Sequence, residues 1–334
     1  MSKLNILVIR LSAFGDVAIS VHVLRAAIEQ NPDIKIILLT RKAFQPLFAN
    51  IDRIEFIEPD LYGKHKNIWG LYKLFKEINN SYKIDLIIDL HDVIRSKILS
   101  FFYFFKAIKT YKIDKGRKEK KELIKNNIKK QLKTSVERYA NVFLQAKIKV
   151  NLKKQYSLIS SPKESNWIGI APFALHKQKT YPLDKMEKLI QQLDKANYKI
   201  HIFGGGKKEK EFAEGLEKTN KNVVSLVSKF SLLQELEMMS KMQAMITMDS
   251  ANMHLAALTD TKIISIWGGT HPFAGFTAFA PSNRNFIIQK ELDCRPCSIF
   301  GNKKCYKNTI ECMDISPEII KQTLDKAIQP ISYT

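Results

Sequence analysis

Short apolar runs that alternate with helical patterns, joined by brief loops, limit this chain to a narrow set of folds. Residues 4–9 (LNILVI) form the first run. A loop over residues 11–16 follows, then a helical periodicity from 17 to 30 that Asn31-Pro32 stops. Residues 35–39 and 54–57 read as the next strands, 68–80 as a helix and 84–89 (IDLIID) as a further buried strand, with another helix starting near Val93. Parallel strands need a crossover between them, so this order predicts the opening of a parallel, doubly wound sheet.

Near residue 150 the pattern resets. Residues 152–162 are polar and rich in Ser and Lys, which marks a linker. Residues 167–171 (WIGIA) then begin a second series, with strands expected over 199–203, 223–226, 244–248 and 263–267. Helices are expected over 185–193, 209–216, 232–239 and 253–258, and Ser316-Pro317-Glu318 opens a last amphipathic helix. The expectation is an α/β chain with two Rossmann-like halves, 1–155 and 156–315, and a terminal helix over 316–334 that packs back on the first. Ligand crevices belong at the carboxyl ends of such strands.

The charge balance is unusual: 54 Lys and Arg against 33 Asp and Glu, a formal net charge of +21. A nucleic acid, an anionic membrane surface and an anionic substrate each fit that excess, as does a Lys-rich compositional background. The excess peaks over residues 115–135, where a solvated face competes with a basic arm for lipid phosphates. No aromatic interleaving accompanies it, so nucleic acid is not an expected partner. No secretory pattern and no run of 18 apolar residues is visible, so a cytoplasmic location is expected. The stretch 98–105 (ILSFFYFF) is either an interfacial patch or one face of a core helix. Cys294, Cys297, Cys305 and Cys312 all fall late; zinc ligation and a local structural loop both remain open for them.

Four places combine a strand end with reactive side chains. Arg10-Leu11-Ser12-Ala13-Phe14-Gly15-Asp16 offers a carboxylate at a crevice mouth, either as a proton acceptor or as a helix cap. The loop His176 to Pro182 is basic and precedes a helix, as a phosphate clamp would. Gly204-Gly205-Gly206 permits close approach of a ligand to the backbone. Asp249 and Ser250 can cap the helix carrying His254, whose free N–H groups would suit a diphosphate, and Gly268-Gly269-Thr270-His271-Pro272 lines the same crevice.

Taken in order, these motifs resemble glycosyltransferase family nine, the bacterial lipopolysaccharide heptosyltransferases. The resemblance rests on Arg10…Gly15-Asp16, Asp89…Arg95-Ser96, Lys179-Thr180-Tyr181-Pro182, Asp249-Ser250…His254, Trp267 to Pro272, and the tail from Cys294-Arg295-Pro296-Cys297 to Ser316-Pro317-Glu318. It implies a GT-B fold, two Rossmann-like domains facing across a cleft, and inverting transfer from ADP-heptose to the anionic inner core of lipopolysaccharide at the cytoplasmic face of the inner membrane. Asp16 and Lys179 would be catalytic, as base and as cation beside the leaving diphosphate. Gly15, Thr180, Gly205, Asp249, Ser250, Ala251, His254, Gly269 and Thr270 would bind the donor, and Arg10, Ser12, His91 and Arg95 the lipid A–core acceptor. No DxD-type motif is present, so no cofactor is expected to be required, Mg²⁺ included. The chain departs from the family at Ala251, where a glycine is usual, and at Lys207, where an acidic residue often follows the strand-end glycine and Glu209 is the next candidate. Those departures keep two rivals in view: a GT-B enzyme with another nucleotide-sugar donor and an O-antigen or capsule acceptor, and a non-catalytic basic protein that binds RNA or membrane.

Overall fold

A computed structural model describes residues 4–125, 130–153 and 157–329. The chain divides into two compact units. The first comprises residues 1–115 and 135–153, the second 116–134 and 154–334.

The first unit is built on five strands, β1 (Leu4–Ile9), β2 (Ile34–Leu39), β3 (Ile54–Ile57), β4 (Leu86–Asp89) and β5 (Lys109–Lys112). They lie in the order β3-β2-β1-β4-β5, all parallel. Four of the six β1 residues are buried, which explains their unbroken apolar run: a strand covered on both faces has no polar side to show. Helices α1 (Phe14–Gln30), α2 (Ile68–Ser81), α3 (Ile94–Phe104) and α5 (Ser135–Gln145) belong to this unit. The order reverses between β1 and β4, so the loops leaving these two strands border one crevice.

The second unit carries six parallel strands in the order β11-β10-β9-β6-β7-β8. These are β6 (Trp167–Ala171), β7 (Lys199–Ile202), β8 (Val223–Ser225), β9 (Ala244–Met248), β10 (Lys262–Trp267) and β11 (Asn285–Gln289). Its helices are α4 (Arg117–Lys125), α6 (Leu183–Lys195), α7 (Lys207–Thr219), α8 (Leu232–Lys241), α9 (Ala251–Ala256) and α10 (Pro317–Ile328). In α6, Met186, Leu189, Ile190 and Leu193 are buried at helical spacing against the sheet. Each such side chain contributes roughly 1.5–3 kcal/mol of burial. Here the strand order reverses between β9 and β6.

Two boundaries depart from the sequence expectation. Helix α10 packs on α6 and the second sheet and belongs to the second unit. Tyr181 donates to Ile315 O at 2.7 Å, and Gln192 reaches Glu318, so side chains of the α6 region fix the entry to α10. The basic segment 115–135 also divides differently. Helix α4 belongs to the second unit, where buried Lys120 lies over the Phe276 ring at 4.4 Å. Residues 126–129 of that segment, and the expected domain boundary at 155–156, lie outside the described residues.

Buried His201 on β7 packs at a tilt against Trp167, ring centres 4.3 Å apart, and burial, with Lys199 nearby, pushes its pKa down to about 4. The unfolded chain therefore takes up a proton that the folded chain refuses between pH about 6.5 and about 4, and stability falls as pH is lowered through that window. We expect wild-type protein to lose on the order of 1–3 kcal/mol more than His201→Gln on acidification across it. Paired urea melts at the two ends of the window check this; parallel losses in both proteins would count against it.

Candidate functional site

In the first unit the loop after β1 and the start of α1 bring Arg10, Ser12 and Asp16 together with His91, which follows β4. Buried Arg10 donates to Leu90 O at 2.6 Å and pairs with Asp16 Oδ2 at 2.5 Å. Its guanidinium also lies 5.5 Å from the Tyr139 ring centre, and the Tyr139 hydroxyl donates to Asp16 Oδ1 at 3.3 Å. Asp16 is thus held through both oxygens, yet its side chain remains 32% exposed. Each carboxylate oxygen keeps a second lone pair, so the group can still accept a proton.

His91 Nε2 sits 3.4 Å from Ser12 Oγ. Burial, together with the charges of Arg10 and Lys115, pushes His91 down to about 4, so it is neutral at physiological pH. Asp89 closes β4 and accepts from the His91 and Asp92 N–H groups at 2.8 Å each, which fixes this loop. The buried atoms Arg10 Nε and His91 Nδ1 have no hydrogen-bond partner among the described residues. These two atoms leave hydrogen-bonding capacity unused beside Asp16. Arg95 stands apart from this cluster; its guanidinium reaches back to Leu61 O at 3.5 Å.

In the second unit three loops meet. Lys179, after β6, pairs with Asp249 Oδ2 at 3.0 Å, and Thr270, after β10, donates to the same oxygen at 2.8 Å. Asp249 follows β9 and is buried. An isolated buried carboxylate would be costly, so the lysine and the hydroxyl are what make this arrangement tenable. The Gly269 N–H donates to Gln178 O at 2.9 Å, tying the third loop to the first. A Cβ on Gly268 would stand 2.4 Å from the Gln178 carbonyl oxygen, so only glycine permits that approach. Gly301, at φ +76°, leaves room in the same way for the methylene stem of Lys179.

The model of the family described as Glycosyltransferase family 9 (heptosyltransferase) matches residues 71–307. The chain belongs to this family. Lipooligosaccharide heptosyltransferase 2 of Campylobacter jejuni subsp. jejuni serotype O:6 is similar to it, 25% identical over 325 residues that span 95% of this chain and 96% of the relative. Among solved structures, a family 9 glycosyltransferase of Veillonella parvula superposes with a TM-score of 0.74 at 17% identity, covering 98% of each chain. The E. coli heptosyltransferase WaaC with ADP-2-deoxy-2-fluoro heptose gives 0.70 at 17% identity, covering 97% of this chain and 99% of that one. The fold is accordingly the GT-B type, two Rossmann-like units, and the protein is a glycosyltransferase.

Against that identification, the motif residues sort clearly by position. Gly15 precedes Asp16 in the first turn of α1, within the first unit. Thr180 braces its own loop, its hydroxyl reaching Ala174 O and His176 O at 3.3 Å. Ser250 takes the N-cap position of α9 without a side-chain cap; its hydroxyl faces Thr247 at 3.4 Å instead. Asp249, expected as a second cap, is engaged by Lys179 and Thr270. Ala251 opens α9 and His254 is buried within it. The Gly205 N–H donates to Glu209 Oε2 at 2.7 Å, while the side chain of Lys207 is 91% exposed; Glu209 is therefore the acidic group at this strand end. Burial raises the Glu209 pKa.

Cys294, Cys297, Cys305 and Cys312 line one cavity, all as free thiols. Among the described residues no group of three or more His, Cys, Asp or Glu is arranged to hold a metal ion. This loop is tied to the site by its backbone. The Cys297 and Ser298 N–H groups both donate to Gly269 O, and burial raises the thiols of Cys297 and Cys312, the latter to about 11.

Sequence reasoning missed Tyr139 and Arg295 as site residues. Arg295 is buried and donates to Gly268 O at 2.6 Å, Thr270 O at 2.9 Å and Lys290 O at 2.6 Å. It fixes the backbone that presents Thr270 to Asp249. We expect Arg295→Met to lower unfolding free energy by about 3 kcal/mol or more, since three carbonyls lose their donor, with Arg295→Lys recovering only part of it. Denaturant melts provide the check, and a lysine variant as stable as wild type would refute the role of the planar fork.

Proposed function

We propose that this family 9 glycosyltransferase transfers heptose from ADP-heptose to the inner core of a lipopolysaccharide or lipooligosaccharide, with inversion in one displacement. The observation that carries the reading is the Lys179–Asp249–Thr270 cluster at the carboxyl edge of the second sheet, where a parallel α/β unit receives its nucleotide. The Campylobacter relative is named for lipooligosaccharide heptosyl transfer, and the WaaC structure contains a fluorinated ADP-heptose.

In this reading the second unit holds the donor and the first the acceptor. Lys179 neutralises Asp249, so a diphosphate can approach an edge that would otherwise repel it. As the acceptor oxygen bonds to the anomeric carbon, the bond to the diphosphate breaks and negative charge leaves with the nucleotide. Lys179 stabilises that charge, in place of a divalent cation. The acceptor hydroxyl gives its proton to Asp16, which Arg10 and Tyr139 hold in place. Neutral His91 and Ser12 complete the polar lining, and Arg95 lies at the start of the neighbouring helix. The strong positive charge of the chain suits an acceptor carried on an anionic inner leaflet, with the exposed cations of α4 facing lipid phosphates.

Transfer assays with ADP-heptose and a core acceptor test this directly. Asp16→Asn should lower kcat by roughly 10²–10⁴-fold with ADP affinity preserved, and wild-type turnover should survive thorough chelation. Full activity in Asp16→Asn would remove Asp16 as the base; loss of turnover that Mg²⁺ restores would remove Lys179 as the substitute for a metal.

A further inference from the structure

The stretch ILSFFYFF is neither wholly core nor wholly surface. In α3, Leu99 and Tyr103 are buried against the sheet, while Phe101 is exposed and Phe104 and Phe105 are each 71% exposed. Rings run in continuous contact from the core to the surface. Tyr103 meets Phe75 at 4.8 Å, Phe75 meets Phe102 at 5.6 Å, Phe102 meets Phe101 at 6.4 Å, and Phe101 meets Phe105 at 4.9 Å. On the adjoining α2, Trp69 is 73% exposed and Ile68 lies beside it. Eight of the sixteen large apolar side chains exposed among the described residues fall between residues 62 and 105. A concentration of that kind on one unit marks an interaction surface.

Charge identifies what covers it. Residues 61–76 and 93–112 contain nine Lys and Arg and no Asp or Glu. The bordering carboxylates are already engaged: Glu77 pairs with Lys64 at 2.5 Å and lies 3.3 Å from His65, Asp92 pairs with Lys97 at 3.4 Å, and Asp60 accepts from the Gly63 and Lys64 N–H groups. A second copy of this face would set like charges against each other, which disfavours self-association. Aromatic and branched side chains ringed by lysines, on outward helices, suit the headgroup boundary of an anionic bilayer, where rings enter the interface and ammonium groups reach phosphates. No helix among the described residues is long and apolar enough to cross a membrane.

We infer that the exposed α2–α3 edge of the first unit docks the enzyme on an anionic lipid surface through Trp69, Phe104 and Phe105. This rests on the proposed lipid-linked acceptor and sharpens it. Helix α3 starts two residues after Asp92 in the loop that carries His91, and at about 1.5 Å per residue its phenylalanines lie roughly 10–16 Å along the axis. The docking edge and the loop that carries His91 thus belong to one helix and its lead-in. The edge is distinct from α4, where only charge is available.

The test is flotation of the full-length protein with phosphatidylglycerol-containing and pure phosphatidylcholine vesicles. Wild type should bind the anionic vesicles and not the neutral ones, and Trp69→Ser/Phe104→Ser/Phe105→Ser should bind at least about tenfold more weakly. Neutralising Lys118, Lys121 and Lys125 of α4 should have the smaller effect. These aromatic side chains are exposed, so the variant should keep its melting temperature and its ADP affinity. Unchanged vesicle binding in the aromatic variant, failure of wild type to bind, a wild-type dimer that the variant dissolves, or RNA binding that it abolishes would each overturn the assignment. The assay contains no sugar, so it fails separately from the transferase reading: vesicle binding without heptosyl transfer would leave the docking edge standing.

Discussion

In a parallel sheet every strand ends at the same edge, and only where the strand order reverses do two neighbouring loops part to leave a crevice. Both sheets of this chain have one such reversal, between β1 and β4 and between β9 and β6. The side chains with chemistry to offer leave those strands: Arg10 and His91 in the first unit, Lys179 and Asp249 in the second. The apolar interior of each sheet supplies the rigidity, and the loops at the reversal are held by hydrogen bonds to it.

At each edge a buried charge organises its surroundings. In the first unit buried Arg10 spans Leu90 O and Asp16, so the carboxylate's position depends on a guanidinium that is itself fixed to the loop after β4. In the second, Asp249 draws in Lys179 and Thr270, and Arg295 behind them fixes the backbone on which Thr270 stands. Removing one member of either set leaves another buried and unpaired, a larger loss than the net worth of the contact itself. These same groups are the ones assigned to chemistry, which ties activity to the integrity of each loop.

Much of this was legible in the sequence because the inner strands are apolar throughout. β1, β6 and β9 lie where the runs 4–9, 167–171 and 244–248 predict them, and the edge strand β3 also lies at the expected 54–57. The edge strands β5 and β11 escaped, since KTYK and NFIIQ are short and only partly buried and carry little apolar signal. Motif order singled out Asp16 and Lys179 as candidates, but not which side chains they contact. Tyr139 lies 123 residues from Asp16, and no local pattern reports that contact. Ser250 and Asp249 read as caps because Ser and Asp usually cap; tertiary partners outcompeted that role for Asp249. The Ser316-Pro317-Glu318 signal placed the start of α10, but its amphipathic pattern could not say which sheet it covers.

The central claim is that the Lys179–Asp249–Thr270 edge receives a nucleoside diphosphate. Calorimetric titration with ADP, UDP, GDP and CMP measures it without any need for the acceptor. ADP should bind and the other three should not, and Lys179→Met should weaken ADP binding by at least about tenfold when measured well below the lowered melting temperature expected of a variant that leaves buried Asp249 without its cation. Binding of none of the four nucleotides, or ADP affinity unchanged in Lys179→Met, would contradict the account.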